Sequence, residues 1–160
     1  MCKNHNLSNE IISGSKMFNI GYFPCVKQSV EAMLVLKDGT KIYGSNVQEI
    51  NKSVCPRVRD GVSDYKLCDS ECMQVNHAER DAIMKAIKWG YDTTDSVMYL
   101  TGHWICCDEC RIVMSKNGIR EAILVNDKGL VINHVEFDGS PLGIMEKDYA
   151  EGLEAYRTIC

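Results

Sequence analysis

The order of structural signals between residues 30 and 137 most constrains the fold of this 160-residue chain. Two apolar or alternating segments, 30–36 and 41–46, flank Asp38-Gly39, and an Asp-Gly pair in that setting is a strong β-hairpin signal. The sequence then predicts a helix, a strand, a second helix and a second strand. Because neighbouring parallel strands need a crossover connection, usually a helix, this order predicts helices crossing between them in an α/β layered domain.

The helix over Ala78–Trp89 has the strongest periodicity, and Gly90 suits the position just after its end. Its predicted core-facing residues are Ala78, Ala82, Ile83, Ala86 and Ile87. A buried strand is predicted at 96–101, a helix at 107–117 that is closed by Gly118, and another strand at 119–125.

The two ends of the chain carry weaker patterns. Residues 1–24 predict a helix with Ser8 as a possible cap, and a final helix is predicted over Met145–Thr158. A strand at 130–137 follows the previous strand after only Asn126–Gly129. A connection this short cannot make a parallel crossover, so these two strands should pair antiparallel.

Residues 47–76 lack sustained periodicity and predict a long loop with one short helix. A loop of this length in a compact domain is usually functional. We therefore expect residues 1–160 to form a single three-layer α/β/α domain, with a central mixed sheet of about five strands. The cysteine-rich loop at about 47–76 would be an insertion in that domain.

The charge and hydropathy of the chain exclude some function classes. The formal net charge is −4, and the acidic and basic residues are interspersed, which argues against a chain whose main task is to grip a polyanion. No apolar run is long enough for a membrane span, and the N-terminus lacks the apolar core of a signal peptide. We expect a cytoplasmic protein without a membrane partner.

The chain has nine cysteines, six of which lie between Cys55 and Cys110. In a reducing compartment, clustered cysteines are more often metal ligands or catalytic groups than disulfides. The three outside this stretch, Cys2, Cys25 and Cys160, are expected to be inert or exposed thiols.

Cys107 and Cys110 lie three positions apart in the first turn of a predicted helix, where both sulfurs can reach one ion. The helix N-terminus would also stabilise their thiolate forms. With His77 as a third ligand the site resembles catalytic zinc, which keeps its fourth position for water. A redox role for the Cys-x-x-Cys pair is the alternative.

His77 and Glu79 would point to opposite faces of a regular helix, because two positions correspond to about 200° of rotation. They can face one metal only if the helix begins there. We therefore predict that His77 lies at the N-cap and Glu79 in the first turn.

The sequence HAERDAI at 77–83, followed by CDEC at 107–110 between a strand and a helix, resembles the zinc-dependent cytidine and deoxycytidylate deaminase superfamily. FPCVKQSVEAMLV at 23–35, and the span from CPR at 55–57 through YKLCDSEC at 65–72, resemble phage-type deoxycytidylate deaminases. The resemblance implies that His77, Cys107 and Cys110 bind zinc and that Glu79 is the proton shuttle.

By the same resemblance, the expected reaction is hydrolytic deamination of a cytosine deoxynucleotide, most simply dCMP to dUMP plus ammonia. A homo-oligomer, such as a hexamer, is also implied. The alternative substrates within the superfamily are a free nucleoside or a base in RNA or DNA. A nucleic-acid substrate is disfavoured by the acidic net charge and by the lack of a stripe of aromatic and basic residues. The alternative from another class is a non-catalytic zinc-stabilised binding module, in which His77 joins Cys68 and Cys72.

Three substrate-binding residues are expected. Asn46 matches the asparagine that related enzymes present to the substrate, although a turn residue is the alternative. Arg57 could hold a 5′-phosphate or be a solvated loop residue. Trp104 could stack on the base or belong to the core or an interface.

A second, structural zinc is a further hypothesis. Cys68 and Cys72 are spaced to share a metal on a short helix, Cys55 is a natural third ligand, and His103 or Cys106 is a possible fourth. Cys106 also replaces the usual proline before the first cysteine ligand of the family, and the preceding loop is two residues longer than is common. An antiparallel strand at 130–137 is more typical of the deaminases that act on free nucleosides.

Overall fold

The computed structural model describes residues 6–18, 21–74, 76–103, 106–137 and 144–147, with the side chains of 18 and 144–147 left aside. The elements in chain order are α1 Leu7–Phe18, β1 Glu31–Val35, β2 Lys41–Ser45, α2 Pro56–Asp60, α3 Lys66–Ser70, α4 Ala78–Lys88, β3 Val97–Thr101, α5 Asp108–Lys116, β4 Glu121–Val125, β5 Val131–Phe137 and β6 Ile144–Lys147. No helix in these ranges is long and apolar enough to cross a membrane.

The strands form one mixed sheet in the order β2-β1-β3-β4-β5-β6. The predicted hairpin is confirmed as β1 and β2, and the predicted antiparallel pairing of β4 with β5 is also confirmed. The expected crossover between neighbouring parallel strands holds for α5, which joins β3 to β4. It is wrong for α4. This helix joins β2 to β3, which are not neighbours, because β1 lies between them and pairs antiparallel with each.

The prediction of a helix over Met145–Thr158 is wrong at its start, because Met145 belongs to β6. Strand β6 pairs antiparallel with β5, so that backbone groups at the edge of β5 find hydrogen-bond partners. Pairing of this kind overrides the helical preference of a Met-Glu-Lys sequence. Residues 148–160 lie outside the described residues.

Two further local predictions need correction. Asn6, not Ser8, caps α1, because its Oδ1 accepts the backbone N–H groups of Ser8 at 3.0 Å and Asn9 at 3.4 Å. The predicted loop over 47–76 contains two short helices, α2 and α3, instead of one.

Helices cover both faces of the sheet, as the three-layer prediction requires. Side chains of α4 and α5, such as Ala82 and Met114, pack in the core on one face. Ile11 of α1 packs on the other face with Met33 and Ile123. Four of the five predicted core residues of α4 are at most 1% exposed, but Ile87 is 56% exposed because it lies just beyond the buried face.

Gly44 lets β2 approach the start of α4 directly. A Cβ atom at Gly44 would lie 2.2 Å from the carbonyl oxygen of Ala78 and 2.5 Å from the backbone nitrogen of Ala82. The backbone of β2 therefore contacts the backbone of the first turn of α4, and a side chain cannot fit between them.

Asp81 holds the same two elements together through hydrogen bonds. Its Oδ2 accepts the backbone N–H of Ser45 at 3.1 Å and the ammonium of Lys85 at 2.9 Å. Lys85 also donates to the carbonyl oxygen of Tyr43 at 3.1 Å. The first turn of α4 is thus fixed to the end of β2, immediately before Asn46.

We predict that Gly44→Ala destabilises the protein by at least about 3 kcal/mol, because two backbones would have to separate. Gly39→Ala is the control: it has open space around it and a φ of 90°, so only backbone strain of about 1–2 kcal/mol applies. Urea unfolding measures both free energies. Equal costs for the two variants would contradict the close approach at Gly44.

We predict that Asp81→Ala costs about 2 kcal/mol, because the buried N–H of Ser45 loses its acceptor and Lys85 loses its carboxylate partner. Asp81→Asn retains a side-chain oxygen for Ser45 and should cost about half as much. Urea unfolding of both variants is the measurement. If the two costs were equal, the ion pair and not the Ser45 hydrogen bond would hold α4 to β2.

Candidate metal centre and active site

The site is built at the N-termini of α4 and α5. His77 is the N-cap of α4, with φ −73° and ψ 151°, and Cys107 is the N-cap of α5, with φ −69° and ψ 157°. These extended backbone conformations free both side chains from the directions imposed by a helix. The predicted start of the helix at His77 is therefore confirmed.

The three predicted metal ligands lie together. Nδ1 of His77 is 3.4 Å from Sγ of both Cys107 and Cys110, and the ligand atoms of all three lie within 4.8 Å of one another. Tetrahedral ligation with Zn–N of about 2.0 Å and Zn–S of about 2.3 Å would place nitrogen and sulfur about 3.5 Å apart. The residues therefore fit a zinc ion. His77 is grouped with Cys107 and Cys110, not with Cys68 and Cys72 as the non-catalytic alternative required.

The two thiols share one proton. The Cys110 thiol donates to Cys107 and is the main cause that lowers the pKa of Cys107 to about 4, with His77 contributing in the same direction. The hydrogen bond to Cys107 and burial raise the pKa of Cys110. The hydrogen bond to Cys107 likewise raises the pKa of His77. The lowered pKa of Cys107 favours its thiolate form, which is the form that a metal ligand requires.

Glu79 lies on the same side of α4 as the ligands. It is 3% exposed, and Sγ of Cys110 lies 3.6 Å from its Oε2. Burial is the main cause that raises the pKa of this carboxyl group. A carboxyl group with a raised pKa beside a metal centre can both accept and return a proton.

A cavity of about 200 Å³ opens next to the metal-ligand trio. Its wall includes His77, Glu79 and Cys107, and the predicted substrate residues Asn46 and Arg57 line the same cavity. The sequence analysis missed three polar residues that also line it, Lys27, Gln28 and Gln74. They belong to no motif, and only the fold brings them to this place.

Asn46 uses its side chain to build the cavity wall. Its Oδ1 accepts the N–H of Val30 at 2.8 Å, and its Nδ2 donates to the carbonyl oxygen of Gln28 at 2.9 Å. Asn46 is 8% exposed. Because a carboxamide can accept two hydrogen bonds and donate two, each end has capacity for one more partner.

Arg57 is held by Tyr65. Its guanidinium carbon lies 4.1 Å from the centre of the Tyr65 ring, and Nη2 donates to the carbonyl oxygen of Ser63 at 2.5 Å. Nε of Arg57 is buried without a hydrogen-bond partner. Arg59 differs, because it pairs with Asp60 and Glu71 and does not line the cavity.

The remaining predicted residues separate into three places. Trp104 lies outside the described residues. His103 lines the main cavity. Cys55 and Cys68 line the main cavity too, and together with Cys72 they line a smaller neighbouring cavity. A second zinc at these cysteines, with His103 or Cys106 as fourth ligand, stays a prediction. Cys106 is buried, and its carbonyl oxygen accepts Nε of Arg111 at 3.1 Å.

One other group among the described residues has ligand atoms close enough for a metal, namely Glu121, His134 and Glu136. Nε2 of His134 lies 2.7 Å from Oε2 of Glu121, and this hydrogen bond is the main cause that lowers the pKa of Glu121. A histidine–carboxylate hydrogen bond joins two of the three residues in this arrangement.

Comparisons with known proteins agree with the site. The family described as the cytidine and deoxycytidylate deaminase zinc-binding region matches residues 14–126, which include all three candidate ligands and Glu79. No curated protein sequence matches the chain.

Solved structures are similar to this chain at low identity. A dCMP deaminase from the cyanophage S-TIM5, in complex with dCMP and dUMP, is 18% identical, with a TM-score of 0.50 over 75% of this chain and 81% of that one. A cytidine deaminase from Burkholderia pseudomallei is 23% identical, with a TM-score of 0.49 over 90% of this chain and 94% of that one. With its family region spanning most of the sheet and the whole candidate metal centre, the chain belongs to the zinc-binding cytidine and deoxycytidylate deaminases.

Proposed function

We propose that this protein hydrolytically deaminates the cytosine ring of a deoxynucleotide, with dCMP as substrate and dUMP and ammonia as products. The observation that carries this proposal is a single cavity. It is lined by His77 and Cys107 of the zinc-type ligand trio, by the buried carboxyl group of Glu79, and by Arg57, whose buried Nε has no hydrogen-bond partner.

His77, Cys107 and Cys110 are the residues that would hold the metal. Zinc, when bound there, supplies Lewis-acid activation of a water molecule. Glu79 accepts a proton from that water, which attacks C4 of the ring. Glu79 delivers that proton to N3. It then takes the remaining proton from the new hydroxyl group on C4 and delivers it to the departing amino group, so that cytosine and water become uracil and ammonia. Its raised pKa suits alternation between base and acid.

The rest of the cavity would orient the nucleotide. The free hydrogen-bonding capacity of Asn46 can meet the sugar or the base. Arg57 can bind a phosphate through its planar guanidinium, and the Tyr65 ring limits the orientations that it can adopt. The cyanophage protein of similar fold is a dCMP deaminase seen with dCMP and dUMP, the same pair proposed here. Stacking by Trp104 stays a prediction, as do the homo-oligomer and the single-domain organisation of residues 1–160.

A free nucleoside is the second candidate substrate. Strand β5 pairs antiparallel with β4, the arrangement that the sequence resemblance associates with deaminases of free nucleosides. Ammonia release from cytidine, deoxycytidine, CMP, dCMP and dCTP tests the two candidates directly. Activity on dCMP well above that on deoxycytidine supports the proposal, and the reverse order contradicts it.

We predict that Glu79→Gln lowers kcat by about 10²–10⁴-fold, because the amide cannot carry protons between water and the ring. The variant should retain its zinc and its fold, since Glu79 is not one of the three ligand residues. Ammonia release and metal content per chain are the measurements. Near wild-type turnover would remove Glu79 from the mechanism.

We predict that Arg57→Gln lowers kcat/KM for dCMP by about 10–100-fold, the loss expected for one charged hydrogen-bond partner of the phosphate. Activity on deoxycytidine should change little. Arg59→Gln is the matched control, because Arg59 is paired with Asp60 and Glu71 outside the cavity. An equal loss on both substrates would contradict a phosphate role for Arg57.

A further inference from the structure

Arg111 is a charged residue that is buried beside the candidate metal centre. It lies in α5 directly after the candidate ligand Cys110, and it is 7% exposed. A guanidinium group is costly to bury unless its N–H groups have hydrogen-bond partners. Arg111 does not line the active-site cavity, and the mechanism proposed above does not use it. Its hydrogen bonds therefore indicate why a cation is kept at this position.

Arg111 bonds to the backbone on both sides of Cys107. Its side-chain Nε donates to the carbonyl oxygen of Cys106 at 3.1 Å, and its backbone N–H donates to the carbonyl oxygen of Cys107 at 3.0 Å. Because a peptide group is planar, a bond to its oxygen restrains the whole group. One residue thus holds both planes that meet at the Cα atom of Cys107. The angle between those planes is set by the φ of −69° and ψ of 157° that also direct its side chain.

His77, the ligand at the start of α4, is held in the same way. Oδ1 of Asn76 accepts the backbone N–H of His77 at 3.0 Å, and the backbone N–H of Asp81 donates to the carbonyl oxygen of His77 at 2.9 Å. A side chain restrains the peptide group before the ligand, and a helical N–H restrains the one after it. Arg111 therefore has the same position relative to Cys107 as Asn76 and Asp81 together have relative to His77.

The segment before Cys107 needs such a restraint in this chain. In the family that the sequence resembles, a proline usually precedes the first cysteine ligand, and its ring fixes φ near −65°. This chain has Cys106 at that position, after a loop that is two residues longer than is common. A longer loop without the proline has more backbone conformations to lose on folding. The side chain of Arg111 bonds to the residue that replaces the proline.

We propose that Arg111 is a positioning residue for the metal centre. It holds the peptide groups on both sides of Cys107 and so keeps the sulfur of that ligand in place. Its hydrogen bond to Cys106 takes over the restraint that the usual proline would supply. Arg111 is not a ligand itself, because a guanidinium group has no acceptor atom. Its effect on zinc therefore passes through Cys107.

Zinc affinity of the full-length protein with substitutions at Arg111 tests the inference. Arg111→Met removes the donor, whereas Arg111→Gln places an amide nitrogen the same number of bonds from the backbone as Nε. We expect Arg111→Met to bind zinc about 10–100-fold more weakly, the usual loss when a group that orients a ligand is removed. Arg111→Gln should retain most of the wild-type affinity. Competition with a chelator of known zinc affinity is the measurement, and any zinc that Cys107→Ala still binds is subtracted.

A proline at position 106 provides a sharper test. Cys106→Pro, added to Arg111→Met, restores a restraint on the same peptide group and should recover most of the lost affinity. Lys116→Met is the matched control for charge, because it removes a cation from the exposed last turn of the same helix and should leave the affinity unchanged. If Arg111→Met does not fold, Arg111→Gln and the double variant decide the question.

Wild-type zinc affinity in Arg111→Met would overturn the inference. A loss in Arg111→Gln as large as in Arg111→Met would do the same, and so would a loss that Cys106→Pro does not recover. Urea unfolding of the zinc-free variants separates positioning from a general effect on stability. A merely structural residue would lower the free energy of unfolding and leave the zinc affinity of the folded protein unchanged.

Only the turnover measurement rests on the proposed function. Zinc-loaded Arg111→Met should have a lower kcat for dCMP and a nearly unchanged KM, because Arg111 does not line the cavity that would hold the nucleotide. A rise in KM alone would contradict a role through Cys107. A wild-type protein that is inactive on every cytosine substrate would overturn the proposed function and leave the zinc-affinity test valid.

Discussion

The contact of β2 with the first turn of α4 is the constraint on which the site depends. Because Gly44 has no side chain, the strand backbone lies against the carbonyl oxygen of Ala78, and Asp81 bonds to Ser45 across the same junction. The start of α4 is therefore fixed relative to the end of β2. His77 and Glu79 belong to the α4 side of this junction, and Asn46 follows β2 on the other side. The contact between the two backbones therefore helps to fix the distance from His77 and Glu79 to Asn46 in the cavity wall.

Burial and hydrogen bonding then set the charges at that place. Glu79 is buried in the core under α4, and this burial raises its pKa. Cys107 at the start of α5 receives a hydrogen bond from Cys110, which lowers the pKa of Cys107. The pKa values of these two neighbouring groups shift in opposite directions, which suits Glu79 to carry a proton and Cys107 to bind a metal. The difference arises because burial dominates at Glu79, whereas the hydrogen bond from Cys110 dominates at Cys107.

Local sequence signals predicted the elements whose structure is decided locally. The Asp38-Gly39 turn, the periodicity of α4 and the short connection at Asn126–Gly129 each indicated one geometry, and the structure has it. The failures have non-local causes. Strand β6 forms because β5 offers an edge, and Ile87 is exposed because no other element covers the end of that helical face.

The same division applies to the site. The spacing of His77, Glu79, Cys107 and Cys110 could be interpreted from sequence, since each pair lies within a single helical turn or at its boundary. Lys27, Gln28 and Cys25 could not, because they reach the cavity through pairing between distant segments, such as the bridge from Phe23 to Gln48 and the hydrogen bond from Asn46 to Gln28. A pattern in one segment contains no information about which distant segment will pack against it.

The two walls of the cavity differ in how firmly they are held. The metal side is carried by α4 and α5, whose buried faces pack into the main core, whereas Arg57 and Tyr65 lie on a segment with exposed apolar residues and two short helices. Chemistry needs fixed distances between the carboxyl group, the ligands and the ring, and the core supplies them. Recognition of the remainder of the substrate depends on a segment that the core does not fix, so its accuracy has to come from contacts within that segment.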